Sequence, residues 1–350
     1  MEAHLRGQGL FDARAYRSYA LTVLTSTHCN LGCAYCFQNI ELDPTGGSRP
    51  RRIGYTRLTS DTITSVLDFT GRRMAEAHLD QLVITLMGGE PLLNPEGCRE
   101  LLARASAYGL RSASMISNGV LLTTAQATAL ADLGLGAIQV TLDGDRDDHD
   151  RIRSRRSDGG GTFDVIVDNV AAAMRATSIG FTIRVNVSHH NAAGMPTLVE
   201  RLAEALDPPR CTLYFALVGD VGIGYRNGLF ASAEPAQQFT QWYRRALDLG
   251  FEVPRPRARV PCPACSFENG RYGAVVSADG TLSSCWDTAG KPEWAVGTLR
   301  DGYLPPELTK DKWVSCDDLN DYGGDPSAFA SLRDTVDAWL LDQLTTAGRL

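Results

Sequence analysis

Short apolar runs alternate with amphipathic stretches from about residue 20 to about residue 250. The apolar runs are Leu21–Thr25, Leu82–Met87, Ala113–Ile116, Ala137–Leu142, Phe181–Val187 and Thr212–Val218, each of strand length. Helical spacing of apolar positions occupies the segments near 59–78, 95–108, 123–133, 163–177, 194–206 and 234–249. Thr59 or Ser60 suits the N-cap of the first helix, Asn94 followed by Pro95 opens the second, and Thr123 opens the third. Parallel strands need a crossover connection, so strand–helix units in series predict an α/β fold with a parallel sheet and helices outside. The periodicity leaves open whether that sheet is flat or closed towards a barrel.

After residue 250 the pattern changes. Phe251 to Pro263 carries four prolines and reads as a linker. Tyr272 to Cys285 holds two apolar strands around Asp279-Gly280, which predicts a hairpin. A helix is expected over about Phe329 to Thr345. Asp158-Gly159-Gly160-Gly161 reads as a mobile loop before the fourth of the six helices.

Within this frame the run Thr27-His28-Cys29-Asn30-Leu31-Gly32-Cys33-Ala34-Tyr35-Cys36 stands directly after the first strand. Three thiolates at C-x3-C-x2-C spacing can hold three irons of a four-iron cluster and leave the fourth open to a ligand. Four thiolates would restrict a cluster to electron transfer or bracing. A zinc knuckle or a redox pair is the other reading of such a run, although zinc sites favour four closed ligands in C-x2-C pairs. Nine cysteines without a signal-peptide apolar region suggest reduced thiols and a cytoplasmic setting. The net charge of −7 shows no electrostatic footprint for nucleic acid, and no apolar run reaches membrane-span length. Arg49-Pro50-Arg51-Arg52 and the arginines from Arg151 to Arg156 read as solvated loops, the second in part as an anion site.

The cysteine run resembles the signature of the radical S-adenosylmethionine (radical SAM) enzymes, and other motifs extend the resemblance over most of the chain. Met87-Gly88-Gly89-Glu90-Pro91 follows the second strand, Ser117-Asn118-Gly119 the third, and Thr141-Leu142-Asp143-Gly144 the fourth, with His149-Asp150-Arg151-Ile152-Arg153 close behind. The last pair resembles the peptide-modifying and sulfatase-maturing branch. The resemblance implies a partial six-stranded (β/α) barrel with its chemistry at the carboxyl ends of the strands. It implies a [4Fe-4S] cluster on Cys29, Cys33 and Cys36, whose open iron chelates S-adenosylmethionine and yields a 5′-deoxyadenosyl radical. Tyr35, Gly88, Gly89, Glu90, Ser117, Asn118, Thr141, Asp143, Arg153 and Asn186 are then the cofactor-side residues. Glu90 would meet the methionine ammonium, Thr141 the ribose, and Arg153, in preference to Arg151, the carboxylate. Asn186, and less so Arg184, is the polar position of the fifth strand near the ribose. At Ser117-Asn118-Gly119 a plain turn with a left-handed Asn reads equally well.

Cys262-Pro263-Ala264-Cys265, Cys285 and Cys316 resemble the SPASM and twitch extensions of the same family, with fewer cysteines than a full SPASM module. That implies two units, a barrel over 1–250 and an auxiliary module over 251–350. Cys262, Cys265, Cys285 and Cys316 would bind one auxiliary [4Fe-4S] cluster, fully ligated with Cys262 and open to substrate without it; zinc on the same thiolates is the competing reading. Cys98 and Cys211 read as buried small residues, with a hydrogen-donor role left open. The expected reaction is hydrogen abstraction from an unactivated carbon of a ribosomally made precursor peptide, giving an intramolecular cross-link. The alternative is a dehydrogenase or epimerase acting on a small metabolite such as an aminoglycoside. An iron–sulfur electron carrier would not need the Gly-Gly-Glu and Thr-Leu-Asp-Gly surfaces. An electron donor such as flavodoxin or ferredoxin is implied. Met1 to Ala20 is too short for a leader-recognition domain, so leader binding is expected to use another surface or a separate leader-recognition protein.

Overall fold

A computed structural model describes residues 17–33, 35, 36, 38, 53–220, 227–229, 235–256, 270–314 and 326–350. Six strands run parallel in chain order: β1 (Ser18–Ser26), β2 (Gln81–Gly88), β3 (Leu110–Ser117), β4 (Leu135–Leu142), β5 (Gly180–Val187) and β6 (Cys211–Leu217). The crossovers carry α1 (Ser60–Glu76), α2 (Pro95–Ala105), α3 (Thr124–Ala131), α4 (Arg146–Ile152), α5 (Phe163–Ala176) and α6 (Met195–Ala205), and α7 (Pro235–Asp248) follows β6. Every strand and helix expected up to residue 250 is present. The unexpected element is α4, seven residues long and too polar to show a periodic apolar face; the Asp145 carboxylate caps it by accepting from the Asp148 N–H at 3.3 Å.

Apolar burial explains how the helices seat on the sheet. In α1 the buried residues Ile63, Val66, Leu67, Thr70 and Met74 follow the helical repeat and face the core. Burying one such Leu or Ile side chain stabilises by roughly 1.5–3 kcal/mol. Thr59 caps α1 and Thr123 caps α3 through their hydroxyls, as expected. Asn94 does not cap α2. Its amide instead donates to the buried carbonyls of Thr25 at 2.9 Å and Leu58 at 3.0 Å, tying the end of β1 to the segment before α1.

The C-terminal strands β7 (Gly273–Val276) and β8 (Thr281–Ser283) form the expected hairpin, and β9 (Ala295–Thr298) and β10 (Gly302–Tyr303) extend it. The hairpin does not stand apart. β7 pairs in parallel with β1, giving one ten-stranded sheet in the order β10-β9-β8-β7-β1-β2-β3-β4-β5-β6. The start of the expected linker is also ordered. Phe251 and Val253 are buried, and Glu252 exchanges backbone hydrogen bonds with Cys211 and Leu213 beside β6. The final helix, α8 (Pro326–Thr346), packs on α7, with the Arg244 guanidinium 5.6 Å above the Trp339 ring.

The parallel part of the sheet curves as a partial barrel. Side chains from β2 through β6, among them Met87, Ile116, Thr141, Asn186 and Phe215, line one cavity, which a flat sheet could not achieve. The cavity, about 570 Å³, is also lined by Val336 and Leu340 of α8 and by Trp286 and Asp287 just after β8.

Candidate active site

The cysteine loop leaves the carboxyl end of β1. A register shift between Leu24 and Ser26 turns the Ser26 carbonyl towards the end of β2, where the Gly89 N–H donates to it at 2.8 Å. A Cβ on Gly88 would collide with that carbonyl, and one on Gly89 with the His28 carbonyl; Gly88 also has a φ of 149°. The paired glycines therefore let two backbones meet: their close neighbour is the cysteine loop itself.

Four further contacts fix the loop. The Thr27 hydroxyl accepts from the Thr56 N–H at 2.7 Å. The Gly32 N–H donates to the Ser154 carbonyl at 3.0 Å, and the Arg156 N–H and Nε donate to Asn30 and Leu31 carbonyls, each at 3.0 Å. The basic run is thus a strap across the cysteine loop as well as a surface. Arg151 and Arg155 stay exposed beside Asp148 and Asp158. The Cys29 sulfur accepts from the Leu31 N–H at 3.4 Å and the Asn118 amide at 3.7 Å. Burial pushes the Cys29 thiol up to about 11 and the Cys33 thiol to about 12. Metal loading must therefore displace protons from both. Among the described residues no three Cys, His, Asp or Glu side chains are grouped as a single-ion site.

Glu90 is fully buried. Its Oε1 accepts from the Leu92 N–H at 3.0 Å and the Ser117 hydroxyl at 2.8 Å, and its Oε2 accepts from the Asn118 N–H at 2.7 Å. Burial raises its pKa and these three donors oppose the rise. The carboxylate thereby joins the ends of β2 and β3. In the following turn the left-handed residue is Gly119, not Asn118, since the only non-glycine at positive φ among the described residues is His78. Asn118 spends its side chain on Asn30 and Cys29 instead.

A second group gathers behind β4 and β5. Arg153 is 7% exposed, donates from Nη1 to the Tyr35 hydroxyl at 2.6 Å and stands 3.7 Å from Asp143. The Asn186 amide donates to the same hydroxyl at 2.9 Å. Both carboxylate oxygens of Asp143 and the Nε of Arg153 are buried without a hydrogen-bond partner among the described residues. Such atoms cost free energy unless a ligand satisfies them. Burial raises the Asp143 pKa, while the Arg153 charge works against it. His149 and Asp150, which precede Arg153, brace the surrounding loops. His149 is buried, accepts from the Asp143 N–H at 3.3 Å and reaches Thr162 at 3.0 Å. Asp150 accepts from the Thr162 and Phe163 N–H groups and so caps α5.

The structure therefore brings Tyr35, Thr141 and Asn186 to the cavity wall, with Asp143 and Arg153 directly behind and the cysteine loop alongside. Cys285 is buried and immediately precedes the cavity-lining Trp286 and Asp287. Cys262, Cys265 and Cys316 lie outside the described residues. Cys98 packs between α2 and β1, its sulfur 3.5 Å from the Thr25 hydroxyl, and Cys211 starts β6; neither lines the cavity. Two asparagines were not singled out in the sequence. Asn191 donates to the Asp143 and Asn186 carbonyls at 2.9 and 2.8 Å, and Asn227 to those of Val187 and Val218 at 2.8 and 2.7 Å. They tie β4 to β5 and β5 to β6 at the carboxyl ends. An Asn in a connecting segment ordinarily reads as a turn residue, so no local signal marks this role.

A curved parallel sheet with a three-cysteine loop, a Gly-Gly-Glu turn and an Arg–Asp pair at its carboxyl ends defines a class. The family model described as the radical SAM superfamily matches residues 23–205, just over half of the chain, and the chain belongs to that superfamily. It is 28% identical over 325 residues to the PqqA peptide cyclase of Ruegeria pomeroyi, a match covering 85% of this chain and 80% of that one. It is 31% identical over 180 residues to a probable GTP 3′,8-cyclase of Methanocella arvoryzae, covering 51% of this chain and 50% of the other. Its fold matches that of native anSMEcpe with bound AdoMet at a TM-score of 0.67 and 15% identity, over 94% of this chain and 98% of that chain. No helix among the described residues is long and apolar enough to cross a membrane.

Proposed function

We propose that the chain is a peptide-modifying radical SAM oxidoreductase that abstracts hydrogen from an unactivated carbon of a ribosomally made peptide and forms an intramolecular cross-link. The observation that carries this reading is the match to a peptide cyclase along 85% of the chain, through the hairpin region as well as the barrel. The donor set fits the cofactor: three thiols for a cluster with an open iron, and orphaned Arg153 and Asp143 atoms for a zwitterion with a ribose. Cys29, Cys33 and Cys36 would hold the cluster. Arg153 would take a carboxylate, Thr141, Asp143 and Asn186 the sugar, and the turns Gly88-Gly89-Glu90 and Ser117-Asn118 the amino-acid end, with Tyr35 keeping Arg153 and Asn186 in place. When bound, cluster and S-adenosylmethionine supply hydrogen-atom abstraction at an unactivated carbon.

The protein's own part is positional. Tyr35 holds Arg153 and Asn186 on one oxygen, so their orientations are fixed before any ligand arrives. Met87, Ile116, Phe215, Val336 and Leu340 line the cavity with apolar surface and exclude water from a reactive carbon centre. We assign 251–350 to an auxiliary module, supported by the change from parallel β/α units to the antiparallel hairpin. Cys262, Cys265, Cys285 and Cys316 would hold one auxiliary [4Fe-4S] cluster there, as electron acceptor or brace.

Co-expression with short peptides encoded beside the gene, followed by intact-mass analysis, tests the function. A mass lower by two hydrogens, with a new bond between residues on sequencing, is the expected result. Unchanged peptides together with conversion of a small metabolite would replace this reading with the metabolite-acting alternative.

Arg153→Ala is expected to weaken S-adenosylmethionine binding by about ten- to hundredfold, since a buried charge-assisted contact contributes roughly 1.5–3 kcal/mol. Arg151, whose side chain is 54% exposed and paired with Asp148, should change it little when replaced by Ala. Titration of the reconstituted variants checks the order. Equal effects would move the carboxylate contact off Arg153.

A further inference from the structure

We infer that Arg184 is a specificity-determining residue that binds a carboxylate of the substrate inside the cavity. The inference rests on the reading that this cavity takes the substrate. Arg184 lies on β5 and lines the cavity. Its Nε donates to the Asn186 side-chain oxygen at 2.8 Å, and its guanidinium carbon sits 5.5 Å from the centre of the Tyr214 ring. One edge and one face of the group are therefore engaged. The two terminal nitrogens have no hydrogen-bond partner among the described residues, and no described carboxylate lies within ion-pairing distance of the group. Asp287 and Asp337 line the same cavity. A guanidinium gripped at Nε and stacked on an aromatic face presents its planar fork in one orientation, which is the geometry that matches a carboxylate with two parallel hydrogen bonds.

Two carboxylates are in question, that of the methionine portion of the cofactor and one on the substrate. Arg153 is the better placed for the first. It is hydrogen-bonded to Tyr35, within the cysteine run, so it stands at the cysteine loop. Arg184 is held through Asn186 and the Tyr214 ring, on β5 and β6. It pairs opposite Tyr214, on the part of the cavity wall that Tyr214 and Phe215 line. The ligand class is accordingly a peptide or metabolite carrying a carboxylate, such as an acidic side chain or a chain terminus.

The test uses reconstituted full-length enzyme with S-adenosylmethionine bound and an isosteric pair of probes, N-acetyl-glutamate methylamide and N-acetyl-glutamine methylamide. Ligand-observed NMR titration reads both affinities in wild type, Arg184→Gln and Arg184→Lys. Wild type should favour the carboxylate probe at least tenfold. Arg184→Gln should abolish the preference, and Arg184→Lys should keep part of it, because a point charge survives while the fork is lost. S-adenosylmethionine is kept saturating in every variant, so that the Asn186 contact, which Arg184 shares, does not enter the comparison. No preference in wild type, or a preference that persists in Arg184→Gln, overturns the inference. Failure of the function itself would appear separately, as absence of 5′-deoxyadenosine in the wild type.

Discussion

Cys29→Ala, Cys33→Ala and Cys36→Ala are each expected to abolish formation of 5′-deoxyadenosine while leaving the fold in place. The first half follows from cluster chemistry: with one of three thiolates gone, the cluster has too few protein ligands to hold its open iron in position. The second half follows from what holds the loop. The Gly32–Ser154, Arg156–Asn30 and Arg156–Leu31 hydrogen bonds and the Thr27–Thr56 contact do not involve sulfur. Cys29 and Cys36 are only partly buried, and Cys33, though buried, gives up a single atom on truncation. Removing that atom should cost about 1–2 kcal/mol, a fraction of a typical stability of about 5–15 kcal/mol. Anaerobic reconstitution, assay for 5′-deoxyadenosine and far-ultraviolet circular dichroism check both halves. Undiminished cleavage in any one variant would remove that cysteine from the cluster and with it the basis of the site.

The barrel was legible because each strand is a short apolar run between turn signals and each long helix has a one-sided apolar face. Where that signal is absent, the reading fails for identifiable reasons. α4, Arg146-Asp147-Asp148-His149-Asp150-Arg151-Ile152, is held by the Asp145 cap and the buried His149, not by an apolar stripe. β10 has two residues, and two residues carry no alternation. The ordered stretch at Phe251–Val253 was hidden by the prolines around it, although both apolar residues are buried beside β6.

At the site the motifs pointed to segments that the fold brings together, and the structure altered several of the reasons. Gly88 and Gly89 sit against the Ser26 and His28 carbonyls, a contact between segments 60 residues apart that spacing cannot reveal. Asn94 leaves its helix end uncapped by side chain because Thr25 and Leu58 present buried carbonyls. The preference for Arg153 over Arg151 rested on the resemblance of the His149-Asp150-Arg151-Ile152-Arg153 run alone. The structure adds a physical basis for it: Arg153 is buried against Tyr35 and Asp143, while Arg151 faces outward. The role of Arg184 depends on what surrounds its fork, and a sequence records only that an arginine alternates onto the polar face of a strand.

Cys285→Ala is expected to separate the two halves of the chemistry: uncoupled 5′-deoxyadenosine still forms, and product formation is lost. The barrel cysteines and the Arg153 group share no residue with the segment around Cys285, so cofactor cleavage should persist. Product formation should not, because Cys285 opens the short helical turn Trp286–Thr288, whose Trp286 and Asp287 form part of the cavity wall. Loss of a cluster anchored there removes an electron acceptor or a brace within one residue of the substrate space. The pairing of β7 with β1 keeps the module registered on the barrel in either case, with Ala20 to Val23 opposite Gly273 to Val276. Metal analysis makes the outcome decisive. Wild type should carry about eight irons per chain, as two four-iron clusters require, and Cys285→Ala about four. Stoichiometric zinc with about four irons in the wild type would instead define a structural zinc site. Product formation undiminished in Cys285→Ala would show that the hairpin module takes no part in turnover, and the second electron would then have to leave the substrate by a route through the barrel.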